Sequence, residues 1–209
     1  MIVRSRVVGP FAENSYIVGC PVTREGALID PGGDVDALLA AAKAEKLTIR
    51  QILLTHGHWD HVFGVGEAKR RTGATVAMHP GELPMLAMNR QMSAMFGVPD
   101  AEEFDLDVRL AEGDVVRVGD LRFDVLFVPG HSPAHVAFSG GGGAFVGDTV
   151  MAGTIGRTDL PGGSMEVLRA SIVGKIMTLP PGTALYPGHG PATTVRRERE
   201  QNPFVLEWM

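Results

Sequence analysis

Cysteine is almost absent from the chain. Cys20 stands alone in 209 residues, so no internal disulfide can form and nothing calls for an oxidising compartment. No uninterrupted apolar run reaches the length of a membrane span. The N-terminus alternates like a strand, without the positive n-region and long apolar h-region of a secretory signal, so the expectation is a cytoplasmic protein. Basic blocks are missing too. The densest cluster, Arg196-Arg197-Glu198-Arg199, is broken by acid and reads as a solvated helix face. With a net charge of −5 the chain has little with which to neutralise phosphates, which argues against a nucleic-acid partner. Neither a repeat nor a linker-like stretch interrupts it. The length and a hydrophobic share of 44% fit one domain, residues 1–209, with a sizeable core. The oligomeric state is left open.

What is present alternates. Strand signals at 2–8, 15–18 and 26–29 are followed by a helix over 35–46, with Asp34 placed to cap it and Leu38, Leu39 and Ala42 as its apolar stripe. A strand over 49–54, a helix over 60–71 and a strand over 74–78 continue the alternation, which predicts an α/β layer arrangement. Met85, Met88, Met92 and Met95 recur at steps of three or four and fall on one helical face. We expect that stripe to pack on a sheet or another subunit; the sharper alternative is a flexible apolar lid over a substrate channel. Strand signals return at 115–118 and 121–128, then at 135–138 and 144–146 across a glycine-rich hairpin loop. A loop over 151–163 leads to a helix over 164–177 with Ser164 as N-cap. A strand over 184–186 and a short helix close the chain.

The stretch Thr55-His56-Gly57-His58-Trp59-Asp60-His61 organises this pattern. It places three imidazoles and a carboxylate in seven positions directly after a strand. Residues two apart on extended chain share a face, so His56 and His58 can aim at one point while Asp60 and His61 aim at a second beside it. His131, Asp148 and His189 also lie just after apolar strand-like runs, and sites in α/β sheets form where strands end. The candidates are therefore His56, His58 and His131 for one divalent metal and Asp60, His61 and His189 for another, with Asp148 able to give one oxygen to each. Two dications about 3.5 Å apart lower the pKa of a shared water toward neutrality and make a hydroxide nucleophile available. Zinc is the first expectation, with iron and manganese accepted by the same donors.

Taken together, Thr-His-Gly-His-Trp-Asp-His at 55–61, Pro-Gly-His at 129–131, Gly-Asp at 147–148 and Gly-His-Gly at 188–190 resemble the metallo-β-lactamase superfamily over nearly the whole chain. The resemblance implies a four-layer αβ/βα sandwich. Asp148 stands where the best-known class of true β-lactamases carries a cysteine ligand, which disfavours antibiotic hydrolysis. Gly156-Arg157-Thr158-Asp159 looks like the glyoxalase II group, especially its short bacterial members, which hydrolyse S-lactoylglutathione to lactate and glutathione. The implied partner is thus a small glutathione conjugate, with Asp60 and Asp148 as catalytic carboxylates. The long members carry a C-terminal helical domain that supplies much of the glutathione surface, whereas only residues 190–209 follow the last histidine here. A rival on the same fold is a persulfide dioxygenase, which the chain also resembles and which would hold one iron on His56, His131 and Asp148.

Outside this set, Arg157 is expected either to pair with Asp159 or to orient a substrate carboxylate. Tyr186 precedes the last histidine turn and is a candidate for a hydrogen bond near the substrate, although a core tyrosine is the more ordinary role. His135 is expected in the core or behind a ligand, His79 on a surface loop, and Cys20 as a small buried residue. Thr55 and Asp30 are expected to accept histidine N–H groups and so fix their tautomers.

Overall fold

Two six-stranded sheets face one another and carry helices on their outer sides. The computed structural model describes every residue except the side chains of Met92 and Phe96. The first sheet holds β1 (Ile2–Val8), β2 (Glu13–Gly19), β3 (Glu25–Ile29), β4 (Thr48–Leu53), β5 (Thr75–Met78) and β6 (Val108–Arg109), in that spatial order. The first three are antiparallel, and β3 to β6 run parallel. Parallel neighbours need crossovers, here α1 (Val35–Ala44), the pair α2 (Trp59–Val62) and α3 (Val65–Thr72), and α4 (Leu83–Phe96). The second sheet contains β7 (Val115–Val118), β8 (Leu121–Phe127), β9 (Val136–Gly140) and β10 (Gly143–Gly147), built as successive antiparallel neighbours. A small hairpin follows, β11 (Val150–Met151) with β12 (Thr154–Ile155), then α5 (Met165–Ser171). Next, β13 (Ala184–Pro187) pairs parallel to β10 and is edged by β14 (Thr193–Thr194), before α6 (Val195–Gln201) and α7 (Pro203–Trp208).

Both faces of the inner strands are covered, so their sequences are nearly continuous apolar runs. Along β3, Leu28 joins Leu38, Val65 and Ala68 under the helices, while Ala27 and Ile29 turn inward to Leu53, Phe123, Phe138 and Phe145. Ala144, Val146 and Leu185 meet Leu168, Ile172 and Val205 on the far side. The result is the four-layer αβ/βα sandwich the resemblance implied.

Several local expectations change. The single helix over 60–71 is two helices, because the Gly64 N–H leaves the helical ladder to donate to Pro31 O at 2.9 Å. Asp34 sits at the start of α1 but caps nothing: its left-handed backbone, φ 45°, is not the extended geometry that aims a cap side chain at the helix. Ser164 does cap α5, accepting from Val167 N, and the helix then widens into a π-turn over Ile172–Ile176. The described members of the methionine stripe do not share one burial. Met85 is buried, Met88 is half-buried, Met95 is 78% exposed, and Met92 lies outside the described side chains. What turns inward is Glu82, Met85, Asn89 and Ser93, a largely polar set whose partners lie at the site below.

The run at 196–199 is also only partly solvated. Its arginines are exposed, but Glu198 is buried, accepting from Thr193 Oγ1 (2.5 Å), Gly153 N (2.9 Å) and Asn202 Nδ2 (2.9 Å). Asn202 also donates to Thr154 O at 2.9 Å and caps α7 through Phe204 N and Val205 N. The C-terminal helices are thereby tied to hairpin β11–β12. Asn202→Ala removes the cap and leaves a buried carbonyl and carboxylate short of a donor, so it should cost about 1–3 kcal/mol. Urea unfolding checks this, and an unchanged midpoint would contradict the tie.

Candidate metal centre

The seven expected donors arrive at one seam between the sheets, and buried groups behind them set their orientation. At the end of β3, Asp30 accepts Thr55 N–H through Oδ1 (2.7 Å) and the Thr55 hydroxyl through Oδ2 (2.6 Å). The same Oδ2 lies 3.1 Å from His61 Nδ1. Thr55 Oγ1, having given its proton to Asp30, accepts His56 Nδ1–H at 3.0 Å. His131 Nδ1–H donates to the Arg157 carbonyl at 2.7 Å. With their Nδ1 atoms engaged outward, His56, His61 and His131 turn their Nε2 atoms inward; burial opposes charge on His61, but Asp148 and Asp60 beside it raise its pKa well above the ordinary imidazole range. His135 stacks on His56 with ring centres 4.7 Å apart, and its Nε2 accepts Asp148 N–H at 3.1 Å. Thr55, Asp30 and His135 thus occupy the supporting positions expected of them. His79 is half-buried and caps the turn at Pro80 by accepting Gly81 N–H; Cys20 is buried.

The turn bearing His189 is held from the opposite sheet. Asn14 N–H donates to Gly188 O (2.7 Å), Asn14 Nδ2 reaches Pro187 O and Gly190 O, and Tyr16 OH donates to Pro187 O. Thr55 O likewise accepts Val136 N–H from the second sheet. At Gly188 there is no room for a side chain, since an added Cβ would collide with Asp148 Oδ1 and close on His61 Cε1 at 2.6 Å.

Two donor groups result. His58 Nδ1 lies 3.1 Å from His56 Nε2 and 2.9 Å from His131 Nε2. One proton on His58 can satisfy only one of those neighbours, whereas a cation can meet all three. Asp60 Oδ2 lies 3.2 Å from His189 Nε2 and 3.8 Å from His61 Nε2. Asp148 stands between the groups, with Oδ1 3.5 Å from His61 Nε2 and Oδ2 3.5 Å from both His131 Nε2 and His189 Nε2. Among the described residues, the buried side-chain atoms without a hydrogen-bond partner are His58 Nε2, His61 Nε2, Asp148 Oδ1 and Glu13 Oε1. Two of these four, His61 Nε2 and Asp148 Oδ1, are donor atoms facing the second group, which is the pattern a site built for cations produces. A third overlapping group, Asp30, His56 and His61, is already closed by the bonds to Thr55.

Electrostatics follow from burial. Burial, reinforced by His131 and His61, pushes His58 down from 6.5 to about 3, and burial with its imidazole neighbours pushes His56 and His135 down as well. Burial would raise the Asp148 and Asp60 carboxyls, yet His61 and the nearby histidines more than offset it and hold both ionised. Glu13 is pushed up by its burial, with His61 opposing.

Helix α4 supplies residues that sequence reasoning missed. Gly57, between the first two histidines, donates its N–H to Glu82 Oε2 (2.9 Å) and accepts from Asn89 Nδ2 through its carbonyl (2.9 Å). Contact is tight enough that a Cβ on Gly57 would lie 3.0 Å from Glu82 O and Met85 Cβ. The other Glu82 oxygen accepts from Ser132 Oγ (2.8 Å) and Ala134 N (2.7 Å), beside His131. One buried carboxylate therefore joins the two loops that carry the three-histidine group. The only signal in the sequence was the helical spacing of Glu82, Asn89 and Ser93, masked by the louder methionines.

The donors open onto a cavity of about 400 Å³. Arg157 lines it but is held by Asp159 in a two-pronged pair at 2.6 and 2.7 Å, so both roles foreseen for it are compatible with its position. Tyr186 does not line it. Its ring stacks on Phe145 at 4.8 Å and faces Tyr16 between the sheets, the ordinary core role, because the β13 register that brings His189 to the site turns Tyr186 inward.

A sandwich of this topology with a histidine–aspartate seam defines a class of metal-dependent hydrolases. Residues 8–189 match the Metallo-beta-lactamase superfamily, and the chain belongs to it. A curated relative, hydroxyacylglutathione hydrolase GloC of Haemophilus influenzae, is 33% identical, with 87% of this chain and 88% of that protein covered. Among solved structures, BLEG-1, described as a B3 metallo-beta-lactamase, superposes with a TM-score of 0.91 at 36% identity, covering 98% and 99% of the two chains. TTHA1623 in a di-iron-bound form gives 0.86 at 38% identity, covering 96% and 99%. ETHE1 from Myxococcus xanthus gives 0.83 at 31%, covering 97% and 84%. Among the described residues, no helix is long and apolar enough to cross a membrane.

Two predictions arise from the site. Glu82→Gln puts an amide N–H against backbone donors and should weaken metal binding about 10–100-fold, measured by chelator competition; unchanged affinity would refute the clamp. His58 is neutral when folded and titrates at its ordinary 6.5 when unfolded, so its contribution to stability is complete above pH 6.5 and is lost as pH falls toward 3. Calorimetry of the metal-free protein should show melting temperature falling through that window, and a smaller fall in His58→Gln.

Proposed function

We propose that the chain is a binuclear metallohydrolase that cleaves a glutathione thioester, with S-lactoylglutathione, giving lactate and glutathione, as the first substrate to try. The observation that carries this reading is the position of Asp148, within 3.5 Å of a histidine from each donor group. A carboxylate so placed can give one oxygen to an ion in each group. His56, His58 and His131 would then hold one metal, Asp60, His61 and His189 the other, and Asp148 both, with zinc, iron or manganese all suited to the donors. Two dications bound there supply an activated water and Lewis-acid polarisation of the substrate carbonyl.

The chain's own residues provide the rest. Asp60 and Asp148, held ionised by the histidines around them, leave the pair of dications with a positive surplus that favours a carbonyl oxygen gaining negative charge. Asp60, half-buried at the cavity wall, is placed to accept a proton from water. A departing thiolate is stable near neutrality and needs no strong acid, in keeping with a cavity whose lining includes no lysine. Arg157 can exchange Asp159 for a substrate carboxylate at little cost, because both partners are exposed and solvent screens such a pair. The likeness to GloC supports glutathione as the thiol half. A small-molecule conjugate, and neither nucleic acid nor membrane, remains the proposed partner.

A second reading keeps one iron on His56, His131 and Asp148, as in a persulfide dioxygenase. It is favoured by the firm outward hydrogen bonds of those two imidazoles and by Asp148 Oδ2 at 3.5 Å from His131.

Metal analysis of protein purified without added metal separates the two. Two ions per chain and turnover of S-lactoylglutathione are expected; one iron with oxygen uptake on glutathione persulfide would overturn the hydrolase. Asp148→Ala should lose metal from both groups and lower kcat/KM by about 100-fold or more. Full retention of both would exclude the bridging role.

A further inference from the structure

The cavity above the donors is lined by two unlike sets of groups. Beside the ionisable ones, its apolar lining is Phe11 from the β1–β2 turn, Trp59 from the histidine motif, Met151 and Ile155 from hairpin β11–β12, and Leu160 from the loop beyond. This wall comes from distant segments and each is held. The Trp59 indole N–H donates to Pro99 O at 3.0 Å, and its ring is braced by Phe63 at 4.6 Å and by the edge of Phe11 at 5.8 Å. The hairpin is tied down by Glu198 at Gly153 and by Asn202 at Thr154. Apart from the donors themselves, the polar groups on the lining are engaged: Asn89 gives its amide N–H to Gly57 O, and Arg157 faces Asp159 at the exposed rim.

We propose that this wall receives the acyl half of the substrate, and that the preferred acyl group is an apolar chain of several carbons rather than a small hydroxyacyl group such as lactoyl. The proposal rests on the thioester-hydrolase reading of the same site. A hydroxyl pressed against Trp59, Ile155 and Leu160 loses its water without gaining a partner, whereas each methylene gains by leaving water. The reaction balances without a co-reactant. A water oxygen adds to the thioester carbonyl carbon, the carbon–sulfur bond breaks with its electron pair going to sulfur, and carboxylate, thiol and one proton result.

The test uses the metal-loaded protein with S-acetyl-, S-butanoyl-, S-hexanoyl- and S-lactoylglutathione. We expect kcat/KM to rise about fourfold per added methylene, the factor that corresponds to ~0.8 kcal/mol, and lactoyl to fall below butanoyl. Met151→Ser and Leu160→Ser, both at half-buried positions, should each flatten the rise, read as the hexanoyl-to-acetyl ratio. In parallel, calorimetry follows binding of acetate, butanoate and hexanoate, whose affinity should climb in the same way. Turnover that is flat along the series, or best with lactoyl, overturns the apolar preference and leaves the hydrolase intact. No turnover of any thioester, with carboxylate affinity still rising with length and lost in the variants, keeps the apolar wall and removes the thioester reading.

Discussion

The carboxylate of Asp30 is the point on which the site depends. It is buried at the end of β3, and it takes three hydrogen-bond directions at once: the backbone and hydroxyl of Thr55, and the ring of His61. Through Thr55 it reaches His56, so one acceptor sets the tautomer of an imidazole in each donor group. Burying a charge is costly unless its lone pairs are filled. Here the fillers are the very residues that must be aimed, so the requirement for pairing and the requirement for orientation are met by the same bonds.

The same device recurs at the edges. Glu82 and Glu198 are also buried carboxylates with three donors each; Glu82 joins two loops, and Glu198 joins the edge strand β14 to the β11–β12 turn and Asn202. Irregular backbone near the site cannot satisfy itself as a helix or ladder does. Acceptors reaching in from α4 and α6 take that role, and they make the loops nearly as determined as the sheets. This is why α4 turns polar residues inward and leaves Met95 in solvent.

Much of this was legible in the residues. Strands announced themselves by apolar runs, and the seven donors by their density and their places after those runs; all seven meet at one seam. Asp30, Thr55 and His135 could be assigned supporting roles because histidine rings need an acceptor. The misreadings share a cause, which is that local pattern says nothing of distant partners. The break at Gly64 depends on Pro31, whereas Tyr186 takes the ordinary core role foreseen for it, against Tyr16 and Phe145. The methionine stripe obeyed helical periodicity, but of its described members Met85 is buried and Met95 exposed, because Gly57, far away in sequence, draws Glu82 and Asn89 inward. Glu198 looked solvated for the same reason, its three donors lying on β14, the β11–β12 hairpin and Asn202.

Each donor group draws on both sheets. His56 and His58 follow β4 while His131 follows β8, and Asp60 and His61 follow β4 while His189 follows β13. Neither half of the sandwich owns a complete set, so no ion can be fully coordinated until the two halves have docked. An ion at this seam is therefore a clasp as well as a reagent. It binds only the closed assembly and by mass action holds it closed. Metal supply would then govern how long the molecule persists, not merely how fast it turns over, and a strong chelator would act on it as a selective denaturant.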